Sequence, residues 1–199
     1  MSDDSAKQEK QEKQVNKGQM YSLKNFRILA VEDFPFMADL IATMLREFGV
    51  GNIVTAISGD EAKDVLNLFN SESADERNAI DIVIVDWLMP EGDGPDLLKW
   101  IRNHRKNQIR FLPTILCSAY ASEDIVKMVR DSGANEALVK PVSAIKMAKR
   151  ILHVVDNPRP FIKISDFFGP DRRRKDVKIQ GEDRRKAKAE EVKQFHEQP

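Results

Sequence analysis

Ile82-Val83-Ile84-Val85-Asp86-Trp87-Leu88-Met89-Pro90 is the stretch on which the fold turns. Four consecutive β-branched apolar residues are too few for a helix and match a strand covered on both faces, as in parallel sheets. The strand closes on a carboxylate. In open α/β sheets, ligands gather outside the carboxyl ends of the strands, so Asp86 stands where a ligand holder or a nucleophile would stand. Alone, an aspartate at a strand end is more often a solvated turn residue. The weight comes from what the other strand ends carry.

Working outward, Phe26 to Val31 reads as the first strand, followed by Glu32-Asp33. Pro35 suits the first turn of a helix running to about Phe48, before Gly49. Phe36, Leu40, Ile41, Met44, Leu45 and Phe48 fit its apolar face. Asn52 to Ala56 is the second strand, and Ser58-Gly59-Asp60-Glu61 is a capping-box start for the second helix. Beyond Asp86, Gly94-Pro95-Asp96 opens a helix to about His104. Leu112 to Cys117 is the fourth strand. A fourth helix runs from about Ser122 to Asp131, with Gly133 as its stop. Glu136 to Val139 is the fifth strand, and Ser143 to Val155 the fifth helix. Five strands alternating with five helices predict an α/β fold with a doubly wound, five-stranded parallel sheet joined by right-handed crossovers.

The 199 residues suit one ordinary domain with extensions. The reading divides them into a disordered leader (1–23), rich in Lys, Gln and Glu, a central domain (24–157), and an arginine-rich tail (158–199) that starts at Pro158-Arg159-Pro160. Both extensions are expected to be flexible. Formal net charge is zero, but the tail carries +4 and the remainder −4. The single cysteine, Cys117, lies in an apolar run and reads as a buried structural thiol. No apolar run is long enough to span a bilayer, and the N-terminus lacks a signal-peptide pattern. A cytoplasmic protein with no membrane insertion is expected.

Strand one ends in Glu32-Asp33, strand three in Asp86, strand four in Ser118 and strand five in Lys140-Pro141. Each has a bland reading: Glu32 and Asp33 as helix caps, Ser118 as an ordinary hydroxyl, Lys140-Pro141 as a turn that a cis bond would suit. Their conjunction in order at four strand ends is what carries information. Like charges a few ångströms apart repel by roughly 4 kcal/mol per pair at an effective dielectric near 20. Three gathered carboxylates therefore protonate or recruit a cation, and oxygen ligands with room for water suit Mg²⁺. With a cation present Asp86 stays ionised and nucleophilic, and Lys140 can neutralise charge on a phosphoryl group.

Val31-Glu32-Asp33, Asp86-Trp87-Leu88-Met89-Pro90 with Gly92 and Gly94, Cys117-Ser118-Ala119 and Lys140-Pro141 together resemble the receiver domain of bacterial two-component response regulators, the CheY-like group. The resemblance spans roughly residues 25 to 155. It implies a flavodoxin-like sheet of order 2-1-3-4-5, with Asp86 as phosphoacceptor. It also implies that Asp33, Asp86 and the backbone carbonyl of Leu88 are Mg²⁺ ligands, with Glu32 mainly outside the direct ligand set. Lys140 would pair with the phosphoryl group, and Ser118 would be the switch hydroxyl. A sensor histidine kinase or histidine phosphotransfer protein would be the donor and a downstream protein the target. The chain would be no enzyme beyond its own phosphorylation and dephosphorylation. The sequence departs from the family pattern in two respects. Ala137 stands where the family often has an aromatic residue. Leu88 and Tyr120 occupy positions that tune acyl-phosphate hydrolysis, and their bulk predicts slow self-hydrolysis.

The tail is too short and polar for a DNA-binding output domain, so DNA binding is not expected. Arg172, Arg173, Arg174, Arg184 and Arg185 are candidate anion-binding residues, since guanidinium forks suit phosphates. Some CheY-like proteins bind cyclic di-GMP through arginine-rich tails, and this tail is similar in composition. The alternative function is therefore a cyclic-dinucleotide-responsive adaptor, or a scaffold that works without phosphorylation. An aspartyl phosphatase is disfavoured because Leu88 stands where a second aspartate would be needed. The apolar patch of Phe161, Phe167 and Phe168 would either pack back on the domain or dock a partner.

Overall fold

The computed structural model describes residues 23–71, 78–90, 94–119, 128–129, 131–164, 167–171 and 193–195. The central sheet contains β1 (Arg27–Val31), β2 (Asn52–Ala56), β3 (Ile82–Asp86), β4 (Thr114–Ser118) and β5 (Glu136–Val139), all parallel, in the order β2-β1-β3-β4-β5. This is the predicted doubly wound, flavodoxin-like sheet. Its alternation sorts side chains cleanly. Leu29, Val31, Val83, Val85 and Leu116 enter one core layer with α2 (Gly59–Phe69), α3 (Gly94–Arg102) and the short α4 (Asn107–Arg110). Ile28, Ala30, Ile82, Ile84, Ile115 and Cys117 enter the other, with α1 (Pro35–Glu47) and α5 (Ala144–Asp156).

The helix signals hold with local adjustments. Ser58 Oγ accepts from Glu61 N at 3.2 Å, and Glu61 reaches back to the N–H of Ile57 at 2.7 Å, one residue earlier than a standard box. Ser143 caps α5 through Lys146 N. Gly49 and Gly133 take φ of +78° and +94°, which only glycine adopts cheaply, and each stops a helix. The apolar face of α1 differs from expectation. Ala38, Ile41, Ala42, Met44 and Leu45 are buried, whereas Phe36 is 68 % exposed and Leu40 39 %. The third helix ends at Arg102 rather than His104, and α4 was not foreseen. Of the predicted fourth helix, Met128, Val129 and Asp131 are helical, and 122–127 and 130 lie outside the described residues.

Beyond α5 the chain does not leave the domain at once. β6 (Phe161–Ile164) and β7 (Phe167–Pro170) form an antiparallel hairpin, and β8 (Lys193–Phe195) pairs with the other edge of β6. Phe161 (1 % exposed) and Phe168 (9 %) pack edge-on against Phe111 at centroid distances of 4.9 and 5.3 Å. Of the two readings of the apolar patch, packing back is the one realised by Phe161 and Phe168. The flexibility expected of the C-terminal extension therefore does not describe the hairpin, whose buried rings fix it to the domain. Residues 1–22 and 172–192 lie outside the described residues, and with them Arg172, Arg173, Arg174, Arg184 and Arg185.

Candidate functional site

The parallel register brings the four marked strand ends together. Asp86 is the last residue of β3, opposite Cys117, and Ser118 ends β4 opposite Val139. Ladder-like bonds continue one residue past the strands: Glu32 N donates to Ala56 O (3.0 Å), Trp87 N to Cys117 O (2.7 Å) and Lys140 N to Ser118 O (2.7 Å). The backbone under the site is thus an extension of the sheet, rigid by hydrogen bonding rather than a free loop.

Glu32, Asp33 and Asp86 each offer a carboxylate oxygen within 4.8 Å of the others. Lys140 Nζ lies 2.9 Å from Glu32 Oε2 and 2.9 Å from Asp86 Oδ1, so one ammonium ties strand ends one, three and five. The Glu32 side chain is 3 % exposed, that of Asp86 11 % and that of Lys140 18 %. Burial raises the Glu32 pKa above the usual carboxylate value, against the lowering effect of its hydrogen bond from Lys140; the Asp86 charge pushes it up further. For Lys140 burial acts to lower the pKa, but the hydrogen bonds to Glu32 and Asp86 and their charges prevail, and the net shift is upward. Beneath the site Cys117 is fully buried, and desolvation pushes its thiol up to about 12. It is the structural thiol expected.

Ser118 is 3 % exposed at the end of β4, and Lys140-Pro141 is a cis peptide bond. Leu88 projects outward, 51 % exposed, while Met89 turns in at 4 %. Ala137 is half-buried against the α2–α3 core layer. Tyr120 and Gly92 lie outside the described residues. Gly94 acquires a concrete reason: a Cβ there would sit 2.1 Å from the Asp86 carbonyl oxygen, so only glycine lets α3 start against the end of β3. Gly94 N donates to Trp87 O at 3.1 Å and closes that turn.

Sequence reasoning missed two features. The direct Lys140–Glu32 bond joins residues 108 apart and has no local signature. The second is the exposed apolar rim, with Phe34 57 % exposed, Phe36 68 % and Ile57 61 %. The donor chemistry suits a hard divalent cation: oxygen only, three carboxylates against one ammonium, with Asp33 the most open of the three.

The model for the response regulator receiver domain matches residues 28–152. The chain is 30 % identical over 128 residues to chemotaxis protein CheY-3 of Vibrio cholerae, covering 64 % of this chain and 90 % of that protein. It is 30 % identical over 125 residues to CheY of Pseudomonas aeruginosa, covering 63 % and 92 %. Among solved structures, a chain of the CheX–CheY–BeF3–Mg²⁺ complex from Borrelia burgdorferi superposes with a TM-score of 0.56 at 31 % identity, over 65 % of this chain and 89 % of that one. Sheet order, strand-end chemistry and these likenesses agree: the chain belongs to the response regulator receiver domain family, of the CheY type.

Proposed function

We propose that the chain is a phosphoacceptor of a two-component phosphorelay, receiving a phosphoryl group on Asp86 from a phosphohistidine and signalling by protein–protein contact. The observation that carries this reading is the pair of salt bridges from Lys140 Nζ to Glu32 and to Asp86, each 2.9 Å long, inside a cluster of three carboxylates. Such a cluster opposes its own charge, and it gains from any cation or phosphoryl group that rearranges it.

In the proposed step, an Asp86 Oδ attacks phosphorus. A P–O bond forms as the P–N bond breaks, and the imidazole nitrogen leaves with the electron pair. Lys140 is already beside the acceptor oxygen and turns its donors to the phosphoryl oxygens, while Glu32 holds its position. Ser118 donates a hydrogen bond to the transferred group. Asp33, Asp86 and the Leu88 carbonyl would hold Mg²⁺, which supplies charge neutralisation when bound. Glu32, engaged by Lys140, serves outside that direct ligand set. The chain catalyses only its own phosphorylation and dephosphorylation and is otherwise a binding module.

Phosphorylation adds about −1.5 to −2 charges at this point. A decisive shift between two surface states takes about 5 kcal/mol of differential stabilisation, which the reorganised Lys140, Ser118 and metal contacts would contribute. The donor is a sensor histidine kinase or a histidine phosphotransfer protein; the output is a downstream protein. Transfer of label from a phosphorylated histidine phosphotransfer protein tests this. Label should reach the wild-type chain as an acyl phosphate and not Asp86→Asn; equal labelling of both would sink the assignment.

A further inference from the structure

A groove of about 450 Å³ lies away from the acidic cluster, between α3 and the β6–β7 hairpin. Its walls include Lys99 on α3, Lys163 on β6 and Phe167 on β7, with Arg110 and Phe168 among its lining. The volume falls within the ~300–1,000 Å³ of small-ligand clefts. Lys99 and Lys163 are exposed, and among the described residues neither ammonium has an ion pair. The Arg110 guanidinium lies 3.8 Å from the Phe168 ring centroid, and its buried Nε lacks a hydrogen-bond partner among the described residues. Asp96 and Asp131 also line the groove, so cations outnumber carboxylates without forming a uniform basic stripe.

Phe167 is half-buried, and its ring rests over Gly169, where a Cβ would come within 2.9 Å of Cζ. An aromatic surface beside unpaired ammonium groups matches two parts of one ligand: a planar ring and a phosphate. A polyanionic strand fits less well, because Asp96 and Asp131 interrupt the positive lining and the whole chain has zero net charge.

We propose that this groove is a second binding site, separate from the acidic cluster, for a mononucleotide-type ligand. Lys99 and Lys163 take its phosphate, and its base lies against Phe167. The test is equilibrium titration of the full chain with guanosine monophosphate and adenosine monophosphate, beside guanosine, adenosine and inorganic pyrophosphate. A mononucleotide should saturate, with nucleoside and pyrophosphate each weaker. Lys99→Glu, Lys163→Glu and Phe167→Ala should each weaken it about tenfold, the loss expected for one charge-assisted or stacking contact. Far-ultraviolet circular dichroism of the two lysine variants should match wild type, since both lysines are exposed. Absence of saturation by any mononucleotide overturns the proposal. So does binding that survives both lysine reversals, or pyrophosphate binding as tightly as the mononucleotides.

Discussion

The two ends of the central sheet handle charge in opposite ways. At the carboxyl ends of the strands, Glu32, Asp33 and Asp86 gather, and one ammonium, that of Lys140, pairs with Glu32 and Asp86. At the other end, Arg102 is 2 % exposed and uses every N–H. Nε donates to Gly133 O (2.9 Å), and Nη1 to Arg110 O (2.8 Å) and Leu112 O (2.9 Å). Nη2 donates to Asn135 Oδ1 (3.0 Å) and Thr114 Oγ1 (3.4 Å). Phe161 covers this guanidinium, its ring centroid 5.0 Å from Arg102 Cζ. A buried charge with all its donors satisfied stabilises one conformation. A cluster with surplus like charge leaves the conformation responsive to what arrives. A change of state can therefore be driven at the acidic end, while the hairpin, with Phe161 over Arg102, holds the other end together.

The contrast predicts that the hairpin end loses most when cut. Phe161→Ala removes a fully buried ring between Phe111, Phe168 and Arg102, and should cost about 3–5 kcal/mol in chemical denaturation. A loss below 1 kcal/mol would mean that the hairpin merely rests on the domain. Lys140→Met should cost about 1–3 kcal/mol by stranding the buried Glu32. Added Mg²⁺ should recover part of that loss, whereas Mg²⁺ should leave the Phe161→Ala deficit unchanged.

Acid titration gives a subtler contrast. The folded-state pKa of Glu32 lies above its ordinary value of 4.5. The folded protein therefore holds this proton where the unfolded chain has released it. The contribution of Glu32 to stability is fully present below pH 4.5 and is lost as pH rises through the folded-state pKa. Wild type minus Glu32→Gln should show stability falling across that window, in metal-free buffer. A difference that rises with pH would reverse the electrostatic picture. The smallest effect concerns lifetime: Leu88→Asn, which replaces a half-exposed apolar group at the rim, should shorten the acyl phosphate lifetime severalfold. An unchanged lifetime would count against shielding by Leu88.

These two ends were not equally legible in the sequence. The acidic end was, because each of its residues follows a strand whose apolar run is local and periodic, and the parallel order then brings the ends together. Glu32, Asp33, Asp86 and Lys140 meet as that pattern requires. What the pattern lacks is the partner choice: that Lys140 bonds Glu32 as well as Asp86 is decided by side-chain geometry across 108 residues. On α1, Phe36 and Leu40 fit the apolar stripe but are exposed, because the face that packs on the sheet is that of Ala38, Ile41, Ala42, Met44 and Leu45. Helix α4 has four residues, too few to show a period. The docking of Phe161 and Phe168 depends on Phe111, a residue that no local rule pairs with them.

The most direct test of the central claim is intact mass after incubation with a small acyl phosphodonor, with and without Mg²⁺, for wild type and Asp86→Asn. The account predicts one phosphoryl adduct, dependent on Mg²⁺, on wild type alone. An adduct that persists in Asp86→Asn, or none on wild type with Mg²⁺ present, would contradict it.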